Sequence, residues 1–248
     1  MSALRTVCCM RLAWAYRSPS HAALIVAAML FQGALAGQSL LPGFSSIFDG
    51  KTLNGWDGDP AYWRVESGTI VGETKPAAIP KQNTFLIWRG GSPADFELRA
   101  EYRLTGGNSG IQYRSVEVPG IHWAMKGYQA DIDAEQQYTG QIYEERGRGF
   151  LALRGQSASV VTGIKPAVLG SLGNERELKA AIHAQGWNEY CVIARGNVLI
   201  QILNGRVMST LIDDDTANRK IDGLIGIQLH AGEPMKIEVR KIELRRAP

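Results

Sequence analysis

Three short segments distribute polar side chains in the same alternating way: Gly110-Ile111-Gln112-Tyr113-Arg114, Tyr128-Gln129-Ala130-Asp131-Ile132-Asp133 and Ile225-Gly226-Ile227-Gln228-Leu229-His230. An extended chain turns successive side chains to opposite faces. Ile111 and Tyr113, Ala130 and Ile132, and Ile225, Ile227 and Leu229 then belong to a core face. The opposite faces carry Gln112 and Arg114, then Gln129, Asp131 and Asp133, then Gln228 and His230. If the three strands share one sheet, amides, carboxylates, a guanidinium and an imidazole converge on a surface suited to a hydroxyl-rich ligand.

Two carboxylates at i and i+2 of a strand stand roughly 7 Å apart, a spacing that holds a cation or the hydroxyls of a sugar. Removed from water, each raises the other's pKa, which favours a proton acceptor working near neutrality. The plain alternative for Gln129, Asp131 and Asp133 is a solvated polar face. Gln141-Ile142-Tyr143-Glu144-Glu145-Arg146 continues the alternation, and its phase aims Tyr143 and Glu145, rather than Glu144, at the polar face. The alternative for Glu145 is an ion pair with Arg146 or Arg148. Arg114, behind Asn108-Ser109-Gly110, suits an anionic or enolate oxygen unless one of the acids claims it. His230 precedes Ala231-Gly232 and belongs at a sheet rim. His122-Trp123 offers a sugar-stacking edge; Trp56 and Trp123 lie in turn-rich stretches and read as exposed, whereas Trp63, Trp88 and Trp187 read as core. Gly147, Gly149 and Gly155 imply a loop that approaches something closely.

The elements that must position these groups read as short strands broken by turns. Residues 96–104 alternate apolar and charged, a half-buried strand with its charged side in solvent. Residues 198–203 and 206–211 flank Asn204-Gly205, a pair that accepts the positive φ angles of a tight hairpin. The last strand, 235–244, alternates except at Arg240-Lys241, where two successive charges predict a bulge. Residues 167–181 form the one stretch expected to be helix or long loop, because Asn174-Glu175-Arg176-Glu177-Leu178-Lys179 has helix-forming composition. Frequent turn pairs between alternating segments predict an all-β, antiparallel β-sandwich rather than βαβ units.

Residues 1–36 read as an export signal: Arg5, Arg11 and Arg17 precede an apolar run over 22–31 and the small-x-small pattern Ala34-Leu35-Ala36. The run is shorter than the roughly 20 apolar residues of a membrane span. The expected mature protein, 37–248, is then one secreted or periplasmic domain without a membrane span. The signal takes three of the 27 Lys and Arg and none of the 24 Asp and Glu, so the basic character belongs to it. A balanced remainder without a basic stripe predicts no nucleic-acid partner. Cys8 and Cys9 fall in the signal, leaving Cys191 as a lone thiol within an apolar strand.

Gly-x-Ser-x-Gly, His-Glu-x-x-His and Cys-x-x-Cys are all missing, which removes the commonest serine-hydrolase, zinc and redox signatures. Other segments carry a resemblance. Phe48-Asp49-Gly50-Lys51-Thr52-Leu53-Asn54-Gly55-Trp56, Trp63-Arg64-Val65-Glu66-Ser67-Gly68, residues 96–104, and Gly107-Asn108-Ser109-Gly110-Ile111 with Arg114 resemble the 3-keto-disaccharide hydrolase domain family, and Trp187-Asn188-Glu189-Tyr190, Asn204-Gly205 and 226–230 continue it in order. The resemblance covers residues 44–246. It implies a concanavalin A-like jelly roll whose curved sheet holds the ligand, and action on glycosides already oxidised at C3. Many members carry Tyr-Glu-x-Gln where this chain has Tyr128-Gln129-Ala130-Asp131, and the chain is closer to members with Gln-Ala-Asp.

That chemistry needs a base for the acidic C2 proton, donors for the enolate oxygen and groups that position a sugar. The corresponding expectation is Asp131 or Glu145 as base, His230 and Arg114 at the enolate with or without a divalent metal, and Asn108, Gln112, Gln129, Asp133, Tyr143, Gln228 and Trp123 as substrate contacts. The partner expected is a carbohydrate. A carbohydrate-binding module without catalysis is the competing reading, since one fold serves both purposes, and an envelope interaction protein is a third.

Overall fold

The structure is a computed structural model that describes residues 41–247; the signal read at 1–36 lies outside them. In chain order the strands are β1 Ser45–Ser46, β2 Trp56–Asp57, β3 Trp63–Glu66, β4 Thr69–Glu73, β5 Thr84–Trp88, β6 Phe96–Thr105, β7 Asn108–Glu117, β8 Met125–Asp133, β9 Ile142–Glu145, β10 Gly149–Ala152, β11 Gln156–Val161, β12 Ala167–Ser171, β13 Asn188–Arg195, β14 Val198–Leu203, β15 Arg206–Asp214, β16 Leu224–Leu229 and β17 Lys236–Arg246, with one helix, α1 Glu175–Ala180. They form two sheets. One runs β12-β11-β15-β14-β13-β6-β17-β4-β3 with β1 on β17, and the other runs β10-β9-β8-β7-β16-β5-β2. The expected all-β sandwich is therefore present, antiparallel except where β11 lies parallel to β15. Among the described residues no helix is long and apolar enough to cross a membrane.

The core follows from alternation. Phe96, Leu98, Ala100, Tyr102 and Leu104 of β6 are buried in one cluster with Ile111 and Tyr113 of β7 and Tyr128, Ala130 and Ile132 of β8. Tyr113 stacks on Tyr128 at 5.7 Å between ring centroids and meets Phe96 edge-on at 6.2 Å, the geometries that aromatic quadrupoles favour. Gln201 of β14 is fully buried between the layers. It accepts from the Tyr190 hydroxyl at 2.6 Å and donates to the Tyr113 hydroxyl and to the Gln129 carbonyl, each at 3.3 Å. A polar pin thus fixes the larger sheet against the strand that carries Asp131.

Local features obey residue chemistry. Asn204 and Gly205 both have positive φ and close the β14–β15 hairpin. Lys241 takes φ 50° where the β17–β6 register shifts between Arg240 and Glu243, the bulge read from two consecutive charges. Asn174 caps α1 by accepting from the Arg176 amide. The expected helix-or-loop stretch is only partly so: residues 167–171 are β12, an edge strand exposed along its whole length. Trp56 is buried rather than exposed, because its indole donates to the Ile47 carbonyl at 2.8 Å. Trp63 and Trp88 are core, and Cys191 is buried and free.

Arg114 does not follow its strand. The β7–β8 register shifts between Tyr113 and Val116, and Arg114 has φ 44°. Such a bulge breaks period-two phase, so counting by twos past Tyr113 assigns the wrong face. Gly127 and Gly223 make room for it, since a Cβ on either would stand under 3 Å from the backbone of Arg114 or Ser115. The guanidinium, 1% exposed, donates to the Ala94 carbonyl at 2.8 Å, the Gly196 carbonyl at 2.7 Å and the Lys220 carbonyl at 3.3 Å, and pairs with Asp95 at 3.0 Å. It ties three turns together.

Arg114→Met is expected to strip three turn carbonyls and Asp95 of their buried donor and to cost about 3 kcal/mol, read as a lowered midpoint in urea unfolding. Wild-type stability in that variant would overturn the tie.

Candidate active site

The outer face of the smaller sheet is assembled by register. In the β7–β8 ladder Asn108 stands opposite Asp133, Gly110 opposite Asp131 and Gln112 opposite Gln129. In β8–β9, Gln129 faces Tyr143 and Gly127 faces Glu145. Gly110 matters because any Cβ there would lie 2.6 Å from the Gln129 side chain. The space it leaves lets Gln129 fold over to Asp131, donating from Nε2 to Oδ1 at 2.6 Å.

The face is strongly curled. Asn83, next to β5, donates to both carboxylate oxygens of Glu145 at 3.3 and 3.4 Å and accepts from the Ala231 amide at 3.0 Å. Three strands separate β5 from β9 in the sheet. A flat sheet would hold them about 19 Å apart at the usual strand spacing, so the contact requires a concave surface.

The resulting cleft, about 330 Å³, is lined by Asn83, Asn108, Gln129, Asp131, Tyr138, Tyr143, Glu145, Phe150, Gln228 and His230. A second lobe of about 540 Å³ shares Asn108, Tyr138 and His230 with it and adds Asp133, Glu135, Gln137 and Glu233. Asp131 is 4% exposed. Burial pushes its carboxyl up to about 8, Gln129 pulls it partly back, and the charges of Asp133 and Glu145 add to the rise. Burial likewise raises Glu145, against the Asn83 hydrogen bond and the charges of Arg146 and His230. Both amide atoms of Gln228, which is 1% exposed, and the side-chain Oε1 of Gln129 have no partner. Buried unpaired amides are costly, and here two of them line a cleft.

Of the residues read from sequence, Asp131, Glu145, His230, Asn108, Gln129, Tyr143 and Gln228 line this first lobe. Asp133 lines the second lobe, but its carboxylate is engaged by the backbone amides of Gln137, Tyr138 and Thr139 and by the Thr139 hydroxyl. Gln112 is fully buried and outside both linings. Trp123 donates from its indole to Asp57 at 2.9 Å, outside both linings. Arg114 is the structural tie described above. Glu144 bonds Arg148, which also holds Asp213 and Asp215. The close approach at Gly147 is to the Glu144 side chain.

Sequence reasoning missed Asn83, Tyr138 and Phe150. Tyr138 stacks on Phe150 at 5.7 Å, and Phe150 meets Tyr143 edge-on at 5.0 Å. Tyr138 and Phe150 are each 41% exposed, and the pair walls the cleft. Neither lies in an alternating run that would have signalled its orientation. Among the described residues no three His, Cys, Asp or Glu side chains are grouped to hold a metal ion.

Residues 43–245 match the model of the 3-keto-alpha-glucoside-1,2-lyase-like domain. The chain belongs to this family. A 3-keto-disaccharide hydrolase of Bacteroides thetaiotaomicron is 39% identical over 84 residues, covering 31% of this chain and 29% of that relative, so the match spans less than a third of the relative's length. Two proteins of Parabacteroides distasonis, provisionally described as glycosyl hydrolases, are 17% identical with TM-scores of 0.56 and 0.53, covering 85% and 82% of this chain and 99% of each of theirs. A Bacillus subtilis protein with a galectin-like fold is 10% identical with a TM-score of 0.52, covering 78% of this chain and 90% of its own. These structures share the fold. The family match and the likeness to the Bacteroides hydrolase support a carbohydrate-related, hydrolase-like function.

Asp131 also makes stability depend on pH. Its folded pKa lies above the unfolded value, so the native state holds an extra proton between about 4 and 8 and loses stability as pH rises through that window, by at most ~1.4 kcal/mol per unit. Asp131→Asn is expected to flatten that decline and to unfold at higher denaturant than wild type at pH 9. Identical pH–stability curves would show that the carboxyl is not desolvated.

Proposed function

We propose that this protein cleaves 3-keto-glycosides by removing the C2 proton, with Asp131 as the base. The observation that carries the reading is a desolvated carboxyl on the floor of a cleft lined by amides, an imidazole and aromatics, in a chain of this family. A C3 ketone acidifies the C2 proton. Burial holds the Asp131 pKa near 8, close to the working pH favoured for a general base.

In this reading Asp131 accepts the C2 proton, and the C–H electrons move to the ketone oxygen as an enolate. Asn108, Gln228 and His230 supply hydrogen-bond donors to that oxygen, and the unpartnered Gln228 amide suits the task. Collapse of the enolate forms the C1–C2 double bond and expels the C1 oxygen, which takes the proton from Asp131. Water then adds at C1, giving its proton to Asp131, which returns it to C2. The sum is hydrolysis; stopping before the addition is a lyase reaction. Arg114 takes no part. Glu145, held by Asn83, is the second candidate for the base. The Tyr138–Phe150 wall offers a face for the C–H surface of a sugar ring. We place this activity outside the cytoplasm, secreted or periplasmic, on the signal-like residues 1–36.

Purified protein incubated with a 3-keto-glucoside is expected to release the leaving group. Its kcat/KM should rise with pH to an inflection near 8. Asp131→Asn should lose at least 100-fold and the inflection with it, and Glu145→Gln should show whether the base is shared. Full activity in both variants would refute the assignment. Saturable binding without turnover would favour a carbohydrate-binding module.

A further inference from the structure

The first lobe alone holds the candidate base; the second, larger lobe opens from it past Asn108, Tyr138 and His230. On the reading above, the oxidised ring sits over Asp131 and whatever is attached to C1 passes this neck. We propose that the second lobe is a leaving-group subsite, and that its charge admits neutral and cationic leaving groups while rejecting anionic ones such as phosphates and carboxylates. This rests on the proposed function and deepens it.

The lining carries the argument. Asp133, Glu135 and Glu233 are its carboxylates, His230 stands at the neck, and no Lys or Arg lines it. Asp133 receives its hydrogen bonds from neutral amides and a hydroxyl, which hold the carboxylate without cancelling its charge. Among the described residues neither Glu135 nor Glu233 forms an ion pair. Lys179 and Arg154 are bound to the same loop without lining the lobe. Lys179 of α1 reaches the Glu135 carbonyl at 3.4 Å, and Arg154 binds the carbonyls of Thr139 and Gln136 and the Glu175 carboxylate. Asp131 and Glu145 in the first lobe add no positive charge. An anion entering the second lobe therefore meets like charge, a device that excludes wrong ligands more than it strengthens right ones.

The neutral walls fit a polyhydroxylated or aryl group. Tyr138 presents a ring at the neck, and Asn108 and Gln137 supply amides. In the adjoining first lobe the buried Gln228 amide has no partner of its own and can turn to a ligand's hydrogen-bonding groups.

The test uses three aryl 3-keto-glucosides whose para substituent is nitro, carboxylate or aminomethyl, each rate divided by that of its spontaneous base-catalysed elimination. Wild type is expected to prefer the neutral and cationic substrates over the carboxylate by about 10-fold in kcat/KM at low ionic strength. The preference should shrink in 0.5 M salt, because exposed charges are screened within about 4 Å at such ionic strength. Glu135→Gln/Glu233→Gln, two exposed substitutions that leave the core intact, should cut the discrimination ratio at least 3-fold. An anionic substrate cleaved as well as the neutral one, or a ratio unmoved by the double variant, overturns the proposal. If none of the three is cleaved, the functional reading fails instead, and calorimetric binding of the same compounds decides the lobe: cation preference that the double variant weakens supports it, and equal or anion-favouring affinity overturns it.

Discussion

The curl of the seven-stranded sheet is the constraint on which the site depends. Asn83 and Glu145 begin on strands separated by three others and end in hydrogen-bond contact. Without that curvature, the polar side chains of β5, β7, β8, β9 and β16 would form a solvated stripe, burial would not raise Asp131 and Glu145, and no cleft would exist. With it, Asp131 keeps only a narrow opening to the cleft, and burial pushes its carboxyl up to about 8. Asn83 also binds the amide after His230, so one residue positions an acid and the imidazole's turn together.

Curvature needs a stiff backing, and the larger sheet supplies it. Gln201 spans the core to the backbone of Gln129, directly beneath the side chain that contacts Asp131. Arg148 joins Glu144 at the end of β9 to Asp213 of β15 and to Asp215 just after that strand, and the Tyr128 hydroxyl donates to Asp213 at 2.5 Å. These buried groups are costly to desolvate and are offset by dense pairing; their value here is in fixing register rather than in net stability. A slip of one residue in β8 would turn Asp131 into the core and Ala130 or Ile132 into the cleft.

How much of this was legible in the sequence can be traced residue by residue. Strand phase was enough to put Gln129 and Asp131, Gln228 and His230, and Glu145 rather than Glu144 on one face, because side-chain direction in a regular strand is a local property. The Asn204-Gly205 turn and the bulge at Lys241 were legible for the same reason. Arg114 was misplaced because a bulge is decided by what packs around it, here the space at Gly127 and Gly223. Asn83, Tyr138 and Phe150 escaped because their direction is set by tertiary contacts. Trp56 was misjudged since a turn-rich context does not reveal an indole donating to a distant carbonyl. The exposed strand at 167–171 lacked alternation, and its pairing with β11 is what makes it a strand.

The Asp133 turn has a consequence of its own. Three backbone amides and a hydroxyl converge on its carboxylate, and Arg154 clasps two carbonyls of the same loop from behind. Tyr138 therefore stands on a stapled segment, not on a swinging flap. Its conformational freedom is surrendered when the chain folds, so a guest arriving at the cleft meets an aromatic already in place and loses less entropy in docking. Geometry of this kind trades breadth of guests for speed and fidelity of capture.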